Sequence, residues 1–297
     1  MKTFPFKKID AFTDGRASGN PAGCVYLGAD TVITAGEMQQ IARELKGFVN
    51  EVGYLCPVED GFALEFYSSE CAVDFCGHAT IAIMYDLISG SEALRRQKEL
   101  YLRVGADRLA VVNRVAEENA VYITAPPPRP LPCPLAAETI ARALAADASV
   151  VDTALPVRLI NAGLRTLILP LASLDACLVL RPPQAELRLF CEQNDVDIIL
   201  VFARETSLPA AHFRTRVFAP KYGYLEDPAT GSGNAAFGHY LHDQGLWRPE
   251  GATIEQGPDR DNPNIVKLRS AGDGHDRRIL FGGGAVLRIS GQYCLHG

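Results

Sequence analysis

Residues 225–237 read Leu-Glu-Asp-Pro-Ala-Thr-Gly-Ser-Gly-Asn-Ala-Ala-Phe, and the rest of the chain is organised around them. Asp227 is followed by Pro228, then by small residues and an apolar run, which is the order expected at the start of a helix. Such small residues leave backbone N–H groups open to a ligand oxygen, and the positive end of a helix attracts an anion. Taken alone, the stretch fits a capped helix start equally well.

A second stretch of the same design lies at residues 76–80, Cys-Gly-His-Ala-Thr. Residues 79–88 are apolar on almost every side, which predicts a helix that is buried all round. Each half of the chain therefore enters one unusually apolar helix through a glycine-containing loop. If both helix starts point into one cleft between the halves, their free N–H groups would hold a carboxylate, because a buried helix start needs partners for these groups.

Length and composition narrow the class of protein. The chain has 297 residues, 47% of them hydrophobic and 22% charged, with a formal net charge of −6. This length favours two domains, and the composition is that of a soluble globular protein. The negative charge argues against nucleic acid or an anionic membrane as a partner. No signal peptide and no run of about 20 apolar residues is present, so we expect a cytoplasmic protein.

The eight cysteines include no Cys-x-x-Cys pair, which excludes the usual zinc and thioredoxin spacings. His239 and His242 lie three residues apart in the second apolar helix and could share a face, as metal ligands do. No further His or Cys has a fitting spacing, so we favour ordinary packing and expect no metal site.

The clearest break in the chain is Pro-Pro-Pro-Arg-Pro-Leu-Pro at residues 126–132, a stiff and extended segment. We therefore predict an N-terminal domain over residues 1–125 and a C-terminal domain over residues 126–284. Strands outnumber helices and do not alternate with them regularly, so a doubly wound parallel sheet is not expected.

Two single residues are candidates for chemistry. His78 follows a glycine at the first predicted helix start, and its pairing with the second stretch favours a hydrogen-bonding role in function over a structural one. Glu51 lies in an otherwise apolar strand at residues 48–54, where an acid is suited to proton transfer. The alternative is a glutamate on an edge strand that faces water, and the residues alone favour that alternative.

Short motifs occur in one order along nearly the whole chain, at residues 10–12, 19–22, 38–45, 76–80, 216–220, 226–232, 255–257 and 282–286. In these motifs the chain resembles the PhzF-like isomerases of phenazine biosynthesis. The resemblance implies a diaminopimelate-epimerase-like α+β fold. Two pseudo-symmetric domains would each form a curved, mostly antiparallel sheet or barrel around a central helix. The C-terminal strand, at about residues 285–297, would return to the N-terminal domain, and the site would lie in the cleft.

The resemblance also implies an activity. Such a protein is a cofactor-independent isomerase that moves a proton on a small carboxylate metabolite, binds no metal and tends to form homodimers. Glu51 matches the catalytic glutamate of the family and would act as general acid/base, while His78 and Asp227 match its other catalytic positions. The residues predicted to bind substrate are Asn20, Gly77, Ala79, Thr80, Gly231, Ser232 and Gly233.

Two departures from the family keep alternatives open. The chain reads Asn50-Glu51-Val52 where the family commonly has Ser-Glu-Thr, so a non-catalytic protein that binds a small carboxylate is one alternative. The residues after Ser232 are Gly and Asn, where small apolar residues are usual, so the polarity of the pocket is expected to differ.

The related amino-acid racemases use two cysteines, one at each helix start. Cys76 stands at the first of these positions, and we match Ala229 to the second, which argues against a two-thiol racemase. A thiol-dependent epimerase that pairs Cys76 with a carboxylate is a further alternative.

Overall fold

The computed structural model describes residues 1–28, 30–272 and 276–296. They form two compact units, the first made of Met1–Thr124 with Gly282–Gly297 and the second of Ala125–Phe281. Among the residues described, none of the helices combines the length and the apolar character that spanning a bilayer requires.

The helices and strands follow one another along the chain in this order: β1 (Lys2–Ala11), β2 (Asn20–Tyr26), α1 (Ala35–Glu44), β3 (Glu51–Val58), β4 (Gly61–Ser68), β5 (Ala72–Val73), α2 (Gly77–Ser89), α3 (Glu92–Arg95), β6 (Glu99–Val104), β7 (Asp107–Arg114), α4 (Val115–Glu118), β8 (Ala120–Thr124), β9 (Arg129–Leu131), α5 (Ala137–Ala143), β10 (Arg158–Asn161), β11 (Arg165–Pro170), α6 (Leu174–Val179), α7 (Gln184–Gln193), β12 (Ile198–Ala203), β13 (Phe213–Phe218), β14 (Glu226–Asp227), α8 (Gly231–Asp243), β15 (Ala252–Gln256), β16 (Asn264–Ala271), β17 (Arg278–Gly283) and β18 (Ala285–Leu295).

The first unit is a mixed sheet around one buried helix. Strands β18, β1 and β2 pair antiparallel, β2 and β3 pair parallel, and β3 and β4 form an antiparallel hairpin. Strand β4 then pairs parallel with β6, and β6, β7 and β8 complete an antiparallel run. Helix α2 packs against β1, β2, β3, β8 and β18, which explains why its residues from Ala79 to Met84 are fully buried.

The second unit repeats this arrangement. Strands β9, β10 and β11 pair antiparallel, β11 and β12 pair parallel, and β12 and β13 pair antiparallel. Strand β13 pairs parallel with β15, and β15 pairs antiparallel with β16. Helix α8 packs against β10, β11, β12 and β16, and its Phe237 and Tyr240 lie in an aromatic cluster with Phe202 and Phe213.

The strand registers match the two units residue by residue. Strand β3 begins parallel to β2 with Glu51 opposite Ala22, and β12 begins parallel to β11 with Ile198 opposite Thr166. The two-residue strands β5 and β14 each lie beside the strand before them and lead into a helix of 13 residues that begins with glycine. The duplicated architecture predicted from the two helix starts is therefore present in the structure.

Candidate active site

Glu51 is the first residue of β3, which lies in the interior of the sheet. It pairs with Ala22 of β2 on one side and with Ser68 of β4 on the other. Its side chain is only 23% exposed. The alternative of an edge-strand glutamate that faces water is therefore wrong, and the pairing of β3 on both sides is the physical reason.

Helix α2 brings a thiol and an imidazole close to Glu51. Cys76 is the N-cap of this helix and makes no capping hydrogen bond with its side chain, while Gly77 and His78 form the first turn. The Nε2 atom of His78 lies 3.3 Å from Oε2 of Glu51, and its Nδ1 atom lies 3.4 Å from Sγ of Cys76. Glu51, Cys76 and His78 form one group, which we call the acid–thiol–imidazole cluster.

Two atoms of this cluster are buried without a hydrogen-bond partner among the described residues: Oε2 of Glu51 and Nε2 of His78. They face each other at 3.3 Å, but their alignment does not make a hydrogen bond. Leaving such a group unpaired costs about 1–3 kcal/mol. Buried unpaired polar atoms are uncommon in native proteins, and a bound ligand, ion or proton would account for this pair.

The neighbour of Glu51 has a structural role that explains one departure from the family. Asn50 donates a hydrogen bond of 3.1 Å from Nδ2 to Oδ1 of Asn20, and its backbone N–H donates to the carbonyl of Pro21. Asn20 is the first residue of β2 and is 1% exposed. Asn50 therefore ties the beginning of β3, where Glu51 lies, to the beginning of β2.

In the second unit, the predicted residues lie together at the start of α8. Asp227 ends β14 and is 9% exposed, and its Oδ2 accepts a short hydrogen bond from the hydroxyl of Thr230, the N-cap of the helix. Gly231, Ser232 and Gly233 form the first turn. A Cβ atom on Gly231 would lie 2.2 Å from Cε2 of Phe281, so the helix start requires glycine there.

Gln256 is the main residue that the sequence did not identify. Its side chain is fully buried at the end of β15 and donates to the carbonyl of Asp227 at 2.8 Å and to Oγ1 of Thr230 at 3.1 Å. Its Oε1 accepts from the N–H of Thr230 and from Nδ2 of Asn234. The sequence motif at residues 255–257 includes Gln256, but the motif alone did not indicate what this side chain does. The registers of β15 on β13 and of β6 on β4 show that Val104 is the residue of the first unit that is equivalent to Gln256.

A second set of contacts fixes β14, which carries Asp227. The guanidinium of Arg216, 2% exposed in β13, donates to both carboxylate oxygens of Glu226 at 2.9 and 2.8 Å. It also donates to the backbone carbonyls of Cys177 and Leu180. A bidentate pair of this kind has a defined geometry, so Glu226 and the next residue, Asp227, have a fixed position.

The structure corrects two details of the sequence analysis. Thr230, and not Ala229, is equivalent to Cys76, because both residues are the N-caps of 13-residue helices that begin with glycine. The side chain of Asn234 is fully buried and donates to the carbonyl of Thr230, so it stabilises the helix start instead of adding polarity to a pocket. Thr80 makes the same contact in α2, where its hydroxyl donates to the carbonyl of Cys76.

Several predicted substrate-binding residues are thus internal to the first helix. Ala79 and Thr80 are fully buried in α2, and the backbone N–H of Thr80 donates to the carbonyl of Cys76. Of these two residues, only Ala79 lies in the first turn, where a backbone N–H has no acceptor within the helix. Ser232 is half-buried in the first turn of α8. The binding and catalytic roles of these residues stay predictions.

The two histidines of α8 are packed in the way that the spacing argument favoured. Burial, together with a smaller effect of the nearby Arg277 charge, lowers the pKa of His239 and of His242 to about 4. The ring of His242 stacks on Trp247 with centroids 4.2 Å apart. In the described part of the chain, neither histidine belongs to a group of three metal-binding side chains.

Comparisons with known proteins agree with this geometry. The family model described as phenazine biosynthesis-like protein matches residues 9–291. An uncharacterised isomerase of Bacillus subtilis, YfhB, is 29% identical over 95% of this chain and 96% of its own length. The trans-2,3-dihydro-3-hydroxyanthranilate isomerase of Pseudomonas fluorescens is 28% identical over 89% of each chain.

The crystal structure of a PhzF-family phenazine biosynthesis protein from Bacillus anthracis matches with a TM-score of 0.87 and 25% identity, over 99% of this chain and 100% of that one. The predicted diaminopimelate-epimerase-like fold is confirmed, and so is the prediction of a PhzF-like isomerase at the level of the family. The chain belongs to the PhzC-PhzF family of phenazine biosynthesis-like proteins.

Proposed function

We propose that this protein is a cofactor-independent isomerase that moves a proton on a small carboxylate metabolite, with Glu51 as the general acid/base. The observation that supports it most strongly is the place of Glu51, half-buried in an interior strand with Oε2 unpaired among the described residues. A general base must have a free lone pair within hydrogen-bond reach of the proton that it takes. The unpaired oxygen supplies the lone pair, which supports the proposal.

The reaction needs two transfers by the same carboxylate. Glu51 takes a proton from an activated carbon of the substrate, and the electron pair of the broken C–H bond delocalises into the conjugated substrate. The proton then leaves Glu51 for a different carbon of the same molecule, so atoms and charge balance. The ring of His78, 3.3 Å from Glu51, would hydrogen-bond the substrate and stabilise the charge that develops.

The start of α8 would bind the substrate. The backbone N–H groups of Gly231, Ser232 and Gly233 lie in the first turn, where the helix dipole favours a carboxylate. Asp227 is held beside them by Thr230 and Gln256 and would orient the substrate through a hydrogen bond. A rigid site of this kind would hold a bound carboxylate in one orientation. The cleft between the halves and a homodimer stay predictions.

The comparison between the two units favours a single base. Ile198 occupies the place in the second unit that Glu51 occupies in the first, and Thr230 occupies the place of Cys76. The second unit therefore offers neither an acid nor a thiol at these two equivalent positions. A single base takes and returns the proton on one face of the substrate, which suits isomerisation better than inversion at one carbon.

The test is solvent deuterium exchange with Glu51→Gln. The Pseudomonas fluorescens relative acts on trans-2,3-dihydro-3-hydroxyanthranilate, a carboxylate, so this compound leads a panel of small carboxylates. We expect the wild-type protein to incorporate deuterium and the variant to be slower by about 10²–10⁴-fold, the usual worth of a general base. Glu65→Gln is the control, because Glu65 is an exposed carboxylate on the neighbouring strand β4.

Exchange at the normal rate in Glu51→Gln would show that another group is the base. Tight binding of a carboxylate by the wild-type protein, without exchange at any carbon, would favour the non-catalytic binding protein instead.

A thiol-dependent epimerase is the second candidate, because Sγ of Cys76 lies 3.4 Å from Nδ1 of His78. A thiol within reach of an imidazole is the arrangement of an activated nucleophile or base. Cys76→Ala separates the two candidates: the leading proposal expects proton transfer to continue, and the epimerase requires that it stop.

A further inference from the structure

We propose that Glu51, Cys76 and His78 bind a divalent transition-metal ion, with Zn²⁺ as the best fit, and that the bound ion blocks proton transfer by Glu51. Binding of the ion is inferred from the geometry of the acid–thiol–imidazole cluster alone. Inhibition by the ion also rests on the function proposed above. The ion is a reversible inhibitor in this proposal and takes no part in the reaction.

The distances in the cluster fit a small ion. One carboxylate oxygen, the thiol sulfur and one imidazole nitrogen all lie within 4.8 Å of one another. Bonds to Zn²⁺ of about 2.0–2.3 Å in a tetrahedral site place ligand atoms about 3.3–3.8 Å apart. The nitrogen–oxygen distance of 3.3 Å already has this value. The remaining approach, about 1 Å at most, is within reach of a rotation about the side-chain bonds of Cys76.

The types of ligand select the ion. Thiolate and imidazole are soft or borderline ligands that bind Zn²⁺ and Co²⁺ well, whereas Mg²⁺ and Ca²⁺ require oxygen ligands. A thiolate and a carboxylate together supply two negative charges, which balance the charge of the ion in a site where His78 is 13% and Glu51 is 23% exposed. Three protein ligands leave a fourth position for water, as in open zinc sites.

The unpaired atoms are an independent observation that points to the same place. Oε2 of Glu51 and Nε2 of His78 are buried, face each other and have no hydrogen-bond partner in the described chain. A single ion would satisfy both at once. The Nε2 atoms of His239 and His242 are also unpaired among the described residues, but no third ligand accompanies them. The combination of unpaired atoms with a complete ligand set distinguishes the cluster.

Binding of the ion would stop the chemistry for a direct reason. A carboxylate oxygen that donates its lone pair to a metal cannot take a proton from carbon, and His78 would lose the nitrogen that faces the substrate. The ion and the proton transfer therefore exclude each other. A chelator should restore the activity, because ions bound by three side chains exchange with solution.

The binding experiment uses the full chain, reduced and metal-free. Isothermal titration with Zn²⁺ should show one site, and Co²⁺ should give a thiolate-to-metal charge-transfer band in the near ultraviolet. Cys76→Ala should remove the band and weaken Zn²⁺ binding by more than about 100-fold, since even groups outside the coordination shell are worth about 10- to 100-fold. Cys71→Ser is the control, because Cys71 is exposed and lies outside the cluster.

The proposed metal site is wrong if Co²⁺ gives no thiolate band or if Cys76→Ala binds Zn²⁺ as tightly as the wild-type protein. Inhibition is checked by deuterium exchange in increasing Zn²⁺, with each protein measured against its own metal-free rate: we expect exchange by the wild-type protein to fall and exchange by Cys76→Ala to be insensitive to Zn²⁺. Exchange that persists with Zn²⁺ bound would show that the ion does not inhibit the protein, and it would leave the proposal of Glu51 as the base unchanged. Activity that is absent without any metal overturns the proposed function and leaves the binding result intact.

Discussion

The side chain of Asn50 donates a hydrogen bond to the amide oxygen of Asn20 over 3.1 Å, so the first residues of β2 and β3 are joined beside Glu51. This contact fixes the beginning of β3, where Glu51 lies. A hydroxyl in place of the Asn50 amide is shorter and would reach Asn20 less well.

We therefore predict that Asn50→Ala lowers kcat/KM for proton exchange about 5- to 10-fold, which corresponds to the loss of about 1 kcal/mol from one hydrogen bond. Asn50→Ser should recover part of the loss. The control is Asn262→Ala, at an exposed asparagine of the second unit. A rate equal to that of the wild-type protein in Asn50→Ala would show that the contact does not position Glu51.

Gln256→Leu should lower the free energy of unfolding more than the substitution of any exposed glutamine does. Leucine has a similar size but leaves the carbonyl of Asp227 and the amide of Asn234 without their buried partner. Since each unpaired buried group costs about 1–3 kcal/mol, we expect a loss of about 2–4 kcal/mol in the free energy of unfolding.

Urea titration measures this change, and Gln193→Leu on the exposed end of α7 is the control. Binding of a carboxylate should weaken in Gln256→Leu because the start of α8 loses its anchor. A Gln256→Leu protein as stable as the control would show that the four hydrogen bonds contribute little.

Gly231→Ala and Gly36→Ala should have opposite effects. The new methyl group at residue 231 would lie 2.2 Å from the ring of Phe281, so the ring or the helix start must move at a cost of about 1–3 kcal/mol. Gly36 is an exposed residue near the start of helix α1, and the nearest atom to a new methyl group there is 3.9 Å away, so alanine gains up to about 1 kcal/mol over glycine. Thermal unfolding of both variants checks the pair.

The double variant Gly231→Ala with Phe281→Leu tests the cause. A smaller side chain at residue 281 makes room for the methyl group, so the double variant should lose less than the sum of the two single losses. Additive losses would mean that the ring is not the obstacle.

Because the pKa values of His239 and His242 are lowered in the folded protein, we predict that the protein loses stability in acid. Burial lowers their folded-state pKa values to about 4, below the ordinary value of 6.5. Between these two pH values the unfolded chain binds protons that the folded chain does not, so stability is highest above pH 6.5 and falls as the pH is lowered toward 4. Each histidine contributes a slope of at most about 1.4 kcal/mol per pH unit.

His239→Gln should therefore show a shallower fall in urea-measured stability between pH 6.5 and 4.5 than the wild-type protein. His296→Gln is the control, because His296 is exposed near the C-terminus. An unchanged slope in His239→Gln would show that this ring is protonated in the folded state.

Elements of the fold could be predicted from the sequence where a local pattern of apolar and polar residues defines them. Helix α2 was predictable because residues 79–88 are apolar on almost every side, which only a central helix tolerates. Helix α8 was predictable because an apolar run follows the small residues at its start. The place of Glu51 was not predictable from residues alone. Whether β3 is an interior or an edge strand depends on its pairing with β2 and β4, and alternation within one strand contains nothing about its neighbours.

The same limit explains the misplaced match of Ala229 and the unassigned role of Gln256. The N-cap is set by backbone geometry at Thr230, and helix boundaries inferred from sequence are uncertain by a few residues. Gln256 contacts Asp227, Thr230 and Asn234, which belong to other elements, so its function exists only after the chain has folded.

Strand β18 has a consequence for the order of folding during synthesis. It pairs with β1 along nearly its whole length, from Ala285 opposite Ala11 to Leu295 opposite Lys2. The ribosome makes β1 long before β18, so the unit that contains Glu51 cannot complete its sheet until β18 has been synthesised. The second unit has all of its residues by Phe281 and can fold earlier. The unit that contains Glu51 therefore reaches its native strand pairing only after β18 has been made.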